Sequence, residues 1–206
     1  MAEKKGWNRI WGLLTHDRSI GFGLEHLGYL TIRFPRIVAI CVLALTIVAI
    51  EGWCIGGGAA LSVACDLRVA GEGTTVYVPE IERGMNLSWN AVPRIAHLVG
   101  PARAKRIAVL AEKLDAAGAL DWGLVDRVAP RGGALEAALE FADRAASLPP
   151  VQLRMIKQAV DAAVGALDRT ASHADFDQFA LATLSGDYAE GVQSFLERRP
   201  PRYTGG

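Results

Sequence analysis

Three consecutive glycines, Gly56 to Gly58, are the residues whose type and spacing most directly suggest chemistry. They lie between an apolar run, Leu45 to Ile50, which predicts a buried strand, and the segment Ala59 to Cys65, which predicts a helix. A strand that turns through glycines into a helix leaves unpaired backbone N–H groups directed at one point. The helix dipole adds about half a positive charge there, so the turn suits an anion or a developing oxyanion. The alternative is a tight turn that needs small residues for packing.

The composition favours a globular protein without a nucleic-acid partner. With 206 residues, 51% of them hydrophobic, the chain can bury a substantial core and predicts one domain. Its 22 basic and 22 acidic side chains balance, which argues against a nucleic-acid surface. Cys41, Cys54 and Cys65 lie in apolar surroundings without metal-ligand spacing. They predict reduced core residues of a cytoplasmic protein, with no metal and no redox cofactor.

An uncharged stretch of fourteen residues, Ile37 to Ile50, raises the question of a membrane span. A helix needs about 18–20 apolar residues to cross a bilayer, so this stretch is too short. A cleavable signal would carry its apolar stretch nearer the start of the chain. A buried strand or pair of strands is therefore the favoured interpretation, and the sequence predicts neither a membrane segment nor a targeting signal.

The apolar periodicity predicts an α/β core followed by a layer of helices. The predicted strands are Leu45–Ile50, Leu67–Ala70 and Gly123–Ala129. The predicted helices are Ala59–Cys65, Ala102–Glu112, Asp115–Trp122, Ala134–Leu148, Val151–Ala166, Asp168–Leu184 and Tyr188–Arg198. Pro101 suits a helix start because its missing N–H costs nothing there, and Asp115 is a predicted helix cap. Alternation of strand and helix implies parallel pairing through crossover connections.

Six stretches of this sequence, in this order, resemble the crotonase superfamily, the enoyl-CoA hydratase/isomerase family. Five are internal: Ile47-Val-Ala-Ile-Glu-Gly-Trp-Cys-Ile-Gly-Gly-Gly, Ala64-Cys-Asp-Leu-Arg-Val-Ala, Val78-Pro-Glu-Ile-Glu-Arg-Gly, Leu98-Val-Gly-Pro-Ala-Arg-Ala and Ala117-Gly-Ala-Leu-Asp-Trp-Gly-Leu-Val-Asp-Arg-Val. The sixth is C-terminal: Ser185-Gly-Asp-Tyr-Ala-Glu-Gly-Val-Gln-Ser-Phe-Leu-Glu-Arg-Arg-Pro-Pro. They keep the family's order and spacing from about residue 45 to the end of the chain.

The resemblance implies an α/β fold, with a crotonase-like ββα spiral core over residues 45–133 and a helical C-terminal layer over residues 134–206. In the family this layer builds trimers and dimers of trimers. The resemblance also implies acyl thioesters of coenzyme A as substrates, with coenzyme A as part of the substrate and no separate cofactor. Family members hold the thioester carbonyl between two backbone N–H groups. Gly57 matches one of these donors, and the preceding Gly56 is expected to contact the substrate.

The resemblance also implies where acid/base groups should lie. The family's hydratases use two glutamates, and the corresponding positions here are Ala60 and Glu80. A general acid/base group is worth about a hundred- to ten-thousandfold in rate, so Ala60 should impair ordinary hydration. Members that shift a double bond work with one glutamate at the Glu80 position, and isomerisation is therefore favoured. A hydratase with a non-standard second acid/base group is an alternative. Glu51 and Glu82 are nearby carboxylates for which solvation or local capping is the better explanation.

The loop that follows Glu80 departs from the hydratase pattern of small residues. Ser88, Trp89 and Asn90 stand there, where hydratases usually carry Pro-Gly-x-Gly-Gly-Thr. Trp89 is predicted to wall the acyl pocket, and Ser88 or Asn90 to hydrogen-bond a polar substrate tail, with ordinary packing as the alternative. Trp53 is a further substrate-binding candidate, although a core position is the favoured interpretation for it.

Arg198 belongs to a basic pair, Arg198-Arg199, that matches the family's C-terminus, where such residues can approach the phosphates of coenzyme A. A solvated helix end explains the pair about as well, because cations complement the helix dipole. Arg198 is therefore a substrate-binding candidate with a plain structural alternative.

Residues 1–44 do not show the family's N-terminal strands or its other oxyanion-hole loop, which has an Ala-Gly-x-Asp-like pattern. Residues 1–50 carry six basic and three acidic side chains, an excess that the rest of the chain lacks. The segment is either foreign sequence joined to a truncated domain, which the charge shift favours, or a divergent replacement. The second functional hypothesis is therefore a catalytically impaired, acyl-CoA-binding or oligomer-forming remnant.

Overall fold

The structure is a computed structural model that describes residues 45–206. Its first sheet contains three parallel strands in the order β1-β3-β6. They are β1 (Ile47–Ile50), β3 (Leu67–Gly71) and β6 (Arg127–Ala129). The three strands predicted from the sequence are all present, but the last begins only at Arg127, because Gly123 has a φ of 78° and lies in a turn. Parallel pairing through crossovers is confirmed for this sheet.

A second sheet, with the order β2-β4-β5, was not predicted from the sequence. It consists of β2 (Trp53–Ile55), β4 (Thr75–Tyr77) and β5 (Leu114–Asp115). The strands β2 and β4 are parallel, and β5 runs antiparallel to β4. Strands of two or three residues are too short to show an alternating pattern, so only the tertiary pairing reveals them.

Four helices complete the α/β core. They are α1 (Gly57–Ala64), α2 (Ala91–Val99), α3 (Pro101–Ala108) and α4 (Ala116–Asp121). Pro101 occupies the first position of α3, as predicted, and α3 ends four residues earlier than the predicted Glu112. The side chain of Asp115 caps α4, since its Oδ1 accepts the N–H of Gly118 at 2.7 Å. The helix α2 was not predicted.

The chain from residue 134 onward is helical, as predicted, but it contains five α-helices. They are α5 (Ala134–Ala146), α6 (Pro150–Val164), α7 (Asp168–Ser172), α8 (Asp175–Thr183) and α9 (Gly186–Leu196). The predicted helix Asp168–Leu184 is divided at His173-Ala174, which form a turn. Small alanines of α5, with Ala134 fully buried, pack against Val69 of β3 in a satellite core.

Trp53 and Cys65 are less buried than the sequence predicts. Trp53 was expected in the core, yet 64% of its surface is exposed, because β2 directs Trp53 and Ile55 outward and only Cys54 inward. Burial raises the pKa of the Cys54 and Cys65 thiols, although Cys65 is only half-buried. Cys41 and most of the stretch Ile37–Ile50 lie outside the described residues. Within residues 45–206 no helix is long and apolar enough to cross a membrane.

Candidate active site

Parallel pairing of β2 with β4 brings two distant parts of the sequence to one edge of the second sheet. Ile55 lies opposite Tyr77, and the N–H of Gly56 continues the ladder by donating to the Tyr77 carbonyl at 2.9 Å. Because both strands end at this edge, the residues that follow them meet there. The glycine cluster follows β2 directly, and Glu80 comes three residues after β4.

The glycine cluster presents unpaired N–H groups at the start of α1. Gly56 precedes the helix with φ 50° and ψ −111°, a conformation that residues with a Cβ rarely adopt, and no side chain caps the helix. The first intrahelical bond of α1 runs from the Ala60 N–H to the Gly56 carbonyl at 2.9 Å. The N–H groups of the preceding turn therefore have no acceptor within the helix. Gly57 is an exposed residue in this turn.

Glu80 places a buried carboxyl group against this helix start. It opens a short 3₁₀ helix, Glu80–Arg83, and only 8% of its surface is exposed. A Cβ on Gly56 would lie 2.7 Å from Glu80 Oε1, so the carboxyl group occupies the space that the glycine leaves. Glu80 Oε2 is buried and has no hydrogen-bond partner among the described residues. Burial raises the pKa of Glu80, which makes its carboxylate a stronger base.

No second carboxylate accompanies Glu80 at the position expected for a hydratase. Ala60 is 6% exposed and belongs to the main hydrophobic core. Glu51 instead accepts the N–H of Ala134, the first residue of α5, at 3.0 Å, a contact across 83 residues of sequence rather than a local one. Glu82 accepts the hydroxyl of Tyr77 and lies 3.7 Å from the guanidinium of Arg83.

The loop before α2 carries Trp89 onto the glycine cluster. A Cβ on Gly57 would lie 3.8 Å from Cζ3 of Trp89, an ordinary van der Waals contact. Trp89 and Asn90 both have positive φ values, 59° and 56°. Ser88 is buried, whereas 62% of the Trp89 surface is exposed. The predicted wall residue therefore does lie beside the predicted oxyanion donor.

Three of the four buried polar side-chain atoms that have no partner within residues 45–206 belong to this one segment. They are Glu80 Oε2, Asn86 Oδ1 and Asn90 Oδ1, the fourth being Arg68 Nε. A buried acceptor without a donor is costly, so such atoms are uncommon in stable folds. Their concentration here is typical of a site whose missing donors come from a ligand or from water.

The structure does not bring every predicted site residue to this place. Trp53 lies on the outward side of β2, where Lys113 Nζ lies 6.0 Å from the centroid of its ring. Arg198 is exposed and has a φ of 55° just beyond α9. Its neighbour Arg199 is already paired, since its Nη2 lies 2.8 Å from Glu190 Oε2, and these hydrogen bonds lower the pKa of Glu190 to about 2. The substrate contacts predicted for Trp53 and Arg198 remain predictions.

Residues that position Glu80 were missed by the sequence analysis. A Cβ on Gly191 in α9 would lie 2.5 Å from the backbone carbon of Arg83, so α9 touches the 3₁₀ helix backbone to backbone. The hydroxyl of Tyr203 donates to the Glu82 carbonyl at 2.7 Å. Glycine at position 191, within a helical pattern, was the one available signal, because a helix-interior glycine often marks close packing. Among residues 45–206, no group of three or more His, Cys, Asp or Glu side chains could hold a metal ion.

The two short sheets, the unpaired start of α1 and the buried glutamate define a protein of the crotonase class. The profile of the family described as enoyl-CoA hydratase/isomerase matches residues 37–206. The chain therefore belongs to the enoyl-CoA hydratase/isomerase family.

Three relatives illustrate the range of activities named in the family. The Aspergillus fumigatus mevalonyl-coenzyme A hydratase is 32% identical over 159 residues, 76% of this chain and 59% of its own length. The enoyl-CoA isomerase/hydratase of Mycosarcoma maydis is 32% identical over 163 residues, 78% of this chain and 59% of its own. The 2,3-dehydroadipyl-CoA hydratase of Escherichia coli is 31% identical over 159 residues, 77% of this chain and 62% of its own. The chain thus spans about three fifths of the length of these relatives.

Solved structures show the same fold. An enoyl-CoA hydratase of Mycobacterium avium subsp. paratuberculosis superposes with a TM-score of 0.75 and 28% identity, covering 86% of this chain and 73% of that one. A carnitinyl-CoA hydratase of Mycobacterium avium gives a TM-score of 0.71 and 31% identity, covering 78% of this chain and 62% of that one. An α/β crotonase-like core followed by C-terminal helices is therefore the fold of this chain.

Proposed function

We propose that this chain is an acyl-CoA enzyme that moves a carbon–carbon double bond, with Glu80 as the only proton shuttle. The observation that carries the proposal is the unpartnered, buried Glu80 Oε2 beside the start of α1, together with the buried alanine at position 60. One carboxylate with a raised pKa suits the removal and return of one proton. A hydratase would need a second group to activate water.

The proposed reaction converts a 3-enoyl-CoA into a 2-enoyl-CoA in two proton transfers. The Glu80 carboxylate removes a proton from C2, and the electron pair of that C–H bond moves into the thioester to give a dienolate. The N–H of Gly57 stabilises the negative oxygen as it forms. The protonated Glu80 then returns the proton at C4, and the electron pair moves back to form the C2–C3 double bond. No electrons or atoms are gained or lost, so the step needs neither metal nor redox cofactor.

The oxyanion site is the second part of the proposal. One N–H donor of this kind is typically worth about a hundred- to a thousandfold in rate. The resemblance places the second donor in the segment that precedes β1, and residues 1–44 lie outside the described part of the chain. Gly56, Ser88 and Trp89 would contact the acyl end of the substrate, and Arg198 the phosphates of coenzyme A.

Incubation with a 3-enoyl-CoA and, separately, with a 2-enoyl-CoA tests the reaction. We expect double-bond isomerisation and little hydration, and a loss of about a hundred- to ten-thousandfold in turnover for Glu80→Gln. Glu82→Gln is the matched control, since it makes the same change on the same 3₁₀ helix at a residue engaged by Tyr77. Full turnover by Glu80→Gln would contradict the proposal.

Hydration with a non-standard second acid/base group is the first alternative, because several relatives carry hydratase names. The same incubation detects it as a 3-hydroxyacyl-CoA product. A catalytically impaired, acyl-CoA-binding or oligomer-forming remnant is the second alternative, because residues 1–44 do not show the family's other oxyanion-hole motif. Absence of turnover with both substrates, together with thermal stabilisation by an acyl-CoA, would favour that alternative.

We also propose that α5 to α9 mediate a homo-oligomer, a trimer or a dimer of trimers. The helix α6 contains no buried residue, and apolar side chains along it are more than half exposed: Val151, Met155, Ile156 and Val160. A contiguous exposed apolar surface is typical of protein interfaces.

A cytoplasmic location stays a prediction, and one relative, of Arabidopsis thaliana, is named "Probable enoyl-CoA hydratase 2, mitochondrial".

A further inference from the structure

The loop that carries Trp89 has a backbone conformation that requires external support. Trp89 and Asn90 are consecutive residues in the left-handed region, with φ of 59° and 56°. Residues with a Cβ adopt this region rarely, and two in succession persist only when surrounding contacts impose them. Such strain is concentrated at functional sites. The contacts that hold Trp89 and Asn90 in this conformation therefore bear on function.

The support comes from the helical C-terminal layer. The backbone N–H of Asn90 donates to Oδ2 of Asp175 at 2.9 Å, across 85 residues of sequence. Asp175 lies in the first turn of α8 and is partly buried. A hydrogen bond from a backbone N–H to a carboxylate is among the stronger kinds in proteins. A hydrogen bond from Arg94 Nη1 to the Trp89 carbonyl is longer, at 3.4 Å.

We propose that Asp175 is a positioning residue that holds Trp89 against Gly57 and thereby limits which acyl groups reach the Gly57 N–H. The indole lies at van der Waals distance from the place where Gly57 would carry a side chain. Release of Asn90 would let the loop leave the left-handed conformation and carry the indole away. This inference rests on the proposed function, because it assigns the acyl group to the space beside Gly57 and Trp89.

A plain structural role for Asp175 would be to complement the dipole at the start of α8. Asp177 offers the same charge in the same first turn, and its side chain is exposed. The pair Asp175→Ala and Asp177→Ala therefore separates the two roles. Asp175→Asn retains an oxygen acceptor for the Asn90 N–H and serves as the conservative variant.

The first measurement is hydrogen exchange of the Asn90 amide, which requires no turnover. We expect Asp175→Ala to speed this exchange by about tenfold or more, with Asp175→Asn close to wild type and Asp177→Ala unchanged. Equal exchange in Asp175→Ala and Asp177→Ala would overturn the proposal.

The second measurement is the ratio of KM values for a short and a bulky enoyl-CoA. In Asp175→Ala this ratio should move toward one while kcat for the short substrate stays near wild type, and Asp175→Asn should restore the ratio. An unchanged ratio would overturn the specificity role. If no substrate is turned over, the proposed function fails, and Kd values for a short and a bulky acyl-CoA replace KM. Those two Kd values and the exchange rate of the Asn90 amide then test the positioning role.

Discussion

Glu80 has an energetic conflict between stability and activity at the scale of a single residue. Burial of a carboxyl group favours its neutral form, and the raised pKa of Glu80 is the consequence. Above that raised pKa, the folded protein keeps an ionised carboxylate in a place that disfavours its charge. The same unfavourable environment makes the carboxylate a better proton acceptor. The proposed catalytic role would account for a group that destabilises the fold.

Glu80→Gln should raise the melting temperature at pH 7 while it lowers turnover by about a hundred- to ten-thousandfold. A group whose pKa is raised on folding contributes stability below its ordinary value, 4.5, and that contribution is lost as the pH rises through the folded-state value. The variant has no charge to bury, so its gain in stability over the wild-type protein should be present at neutral pH and shrink toward zero below pH 4.5. Thermal unfolding of both proteins across this range is the measurement. A variant less stable than wild type at pH 7 would contradict the buried, unpartnered state of Glu80.

Gly56 is the other residue whose identity the site fixes. Gly56→Ala would place a Cβ 2.7 Å from Glu80 Oε1 at a φ of 50°, so both the backbone and the carboxylate would have to move. We expect a loss of about 1–3 kcal/mol in the free energy of unfolding, with a marked fall in kcat. Gly58→Ala is the matched control, because a Cβ there meets no atom within 4 Å. Chemical denaturation and turnover of the pair would show whether the contact with Glu80 is the cause.

At the scale of elements, α9 and the 3₁₀ helix Glu80–Arg83 form one packed unit. Gly191 allows the two backbones to touch, and a Cβ on Gly84 would lie 2.6 Å from the Asp187 carbonyl. The guanidinium of Arg83 also stacks over the Phe195 ring at 4.3 Å from its centroid. The C-terminal layer therefore sets the position of the helix that carries Glu80, which links a helix far along the chain to the proposed chemistry.

Gly191→Ala should weaken this unit. The added methyl group would approach the backbone of Arg83, which cannot rotate aside as a side chain can, and overpacking of this kind costs about 1–3 kcal/mol. We expect kcat to fall as well, since the 3₁₀ helix must shift and move Glu80. Gly165→Ala, with φ of −83° and a flexible carboxylate 3.4 Å from the new Cβ, is the control. Equal stability and turnover of the two variants would show that α9 does not position the site.

At the scale of the whole molecule, the charged and the apolar side chains of the C-terminal layer have different roles. Lys157 pairs with Asp66 and so anchors α6 to the α/β core. Burial tends to raise the pKa of Asp66, but the hydrogen bonds from Lys157 and Thr46 outweigh it and lower that pKa below its ordinary value. The apolar side of α6 remains exposed, with Met155 and Ile156 at 60% and 65%. Exposed apolar side chains on a helix that is anchored to the core are typical of an assembly surface.

Ile156→Asp should reduce the oligomeric state of the protein. A charge at the centre of an apolar interface loses its hydration without gaining a partner, which disfavours association. Leu110→Asp is the control, because Leu110 is 71% exposed but lies after α3, outside the C-terminal layer. Sedimentation velocity of the two variants and wild type is the measurement. A smaller species for Ile156→Asp alone is the expected result, and the same mass for all three would contradict the proposed interface.

Much of the fold followed from local signals in the sequence. The helix starts at Pro101 and Asp115 were predicted because a missing N–H and a capping carboxylate act within a few residues. The strand β1 was predicted because a short continuous apolar run is typical of a buried parallel strand. The motifs around Gly57 and Glu80, in order with the four other matching stretches, identified the family.

Only the tertiary structure determined what these residues can do together. The three-residue strands β2 and β4 carry no periodicity, yet their parallel pairing places Glu80 beside Gly56. The burial of Glu80, the left-handed conformation of Trp89 and the contact with Asp175 depend on residues far apart in the chain. The sequence by itself determined which groups are present and which family they belong to. Their distances, their solvation and hence their pKa values arise from non-local packing, which no local pattern encodes.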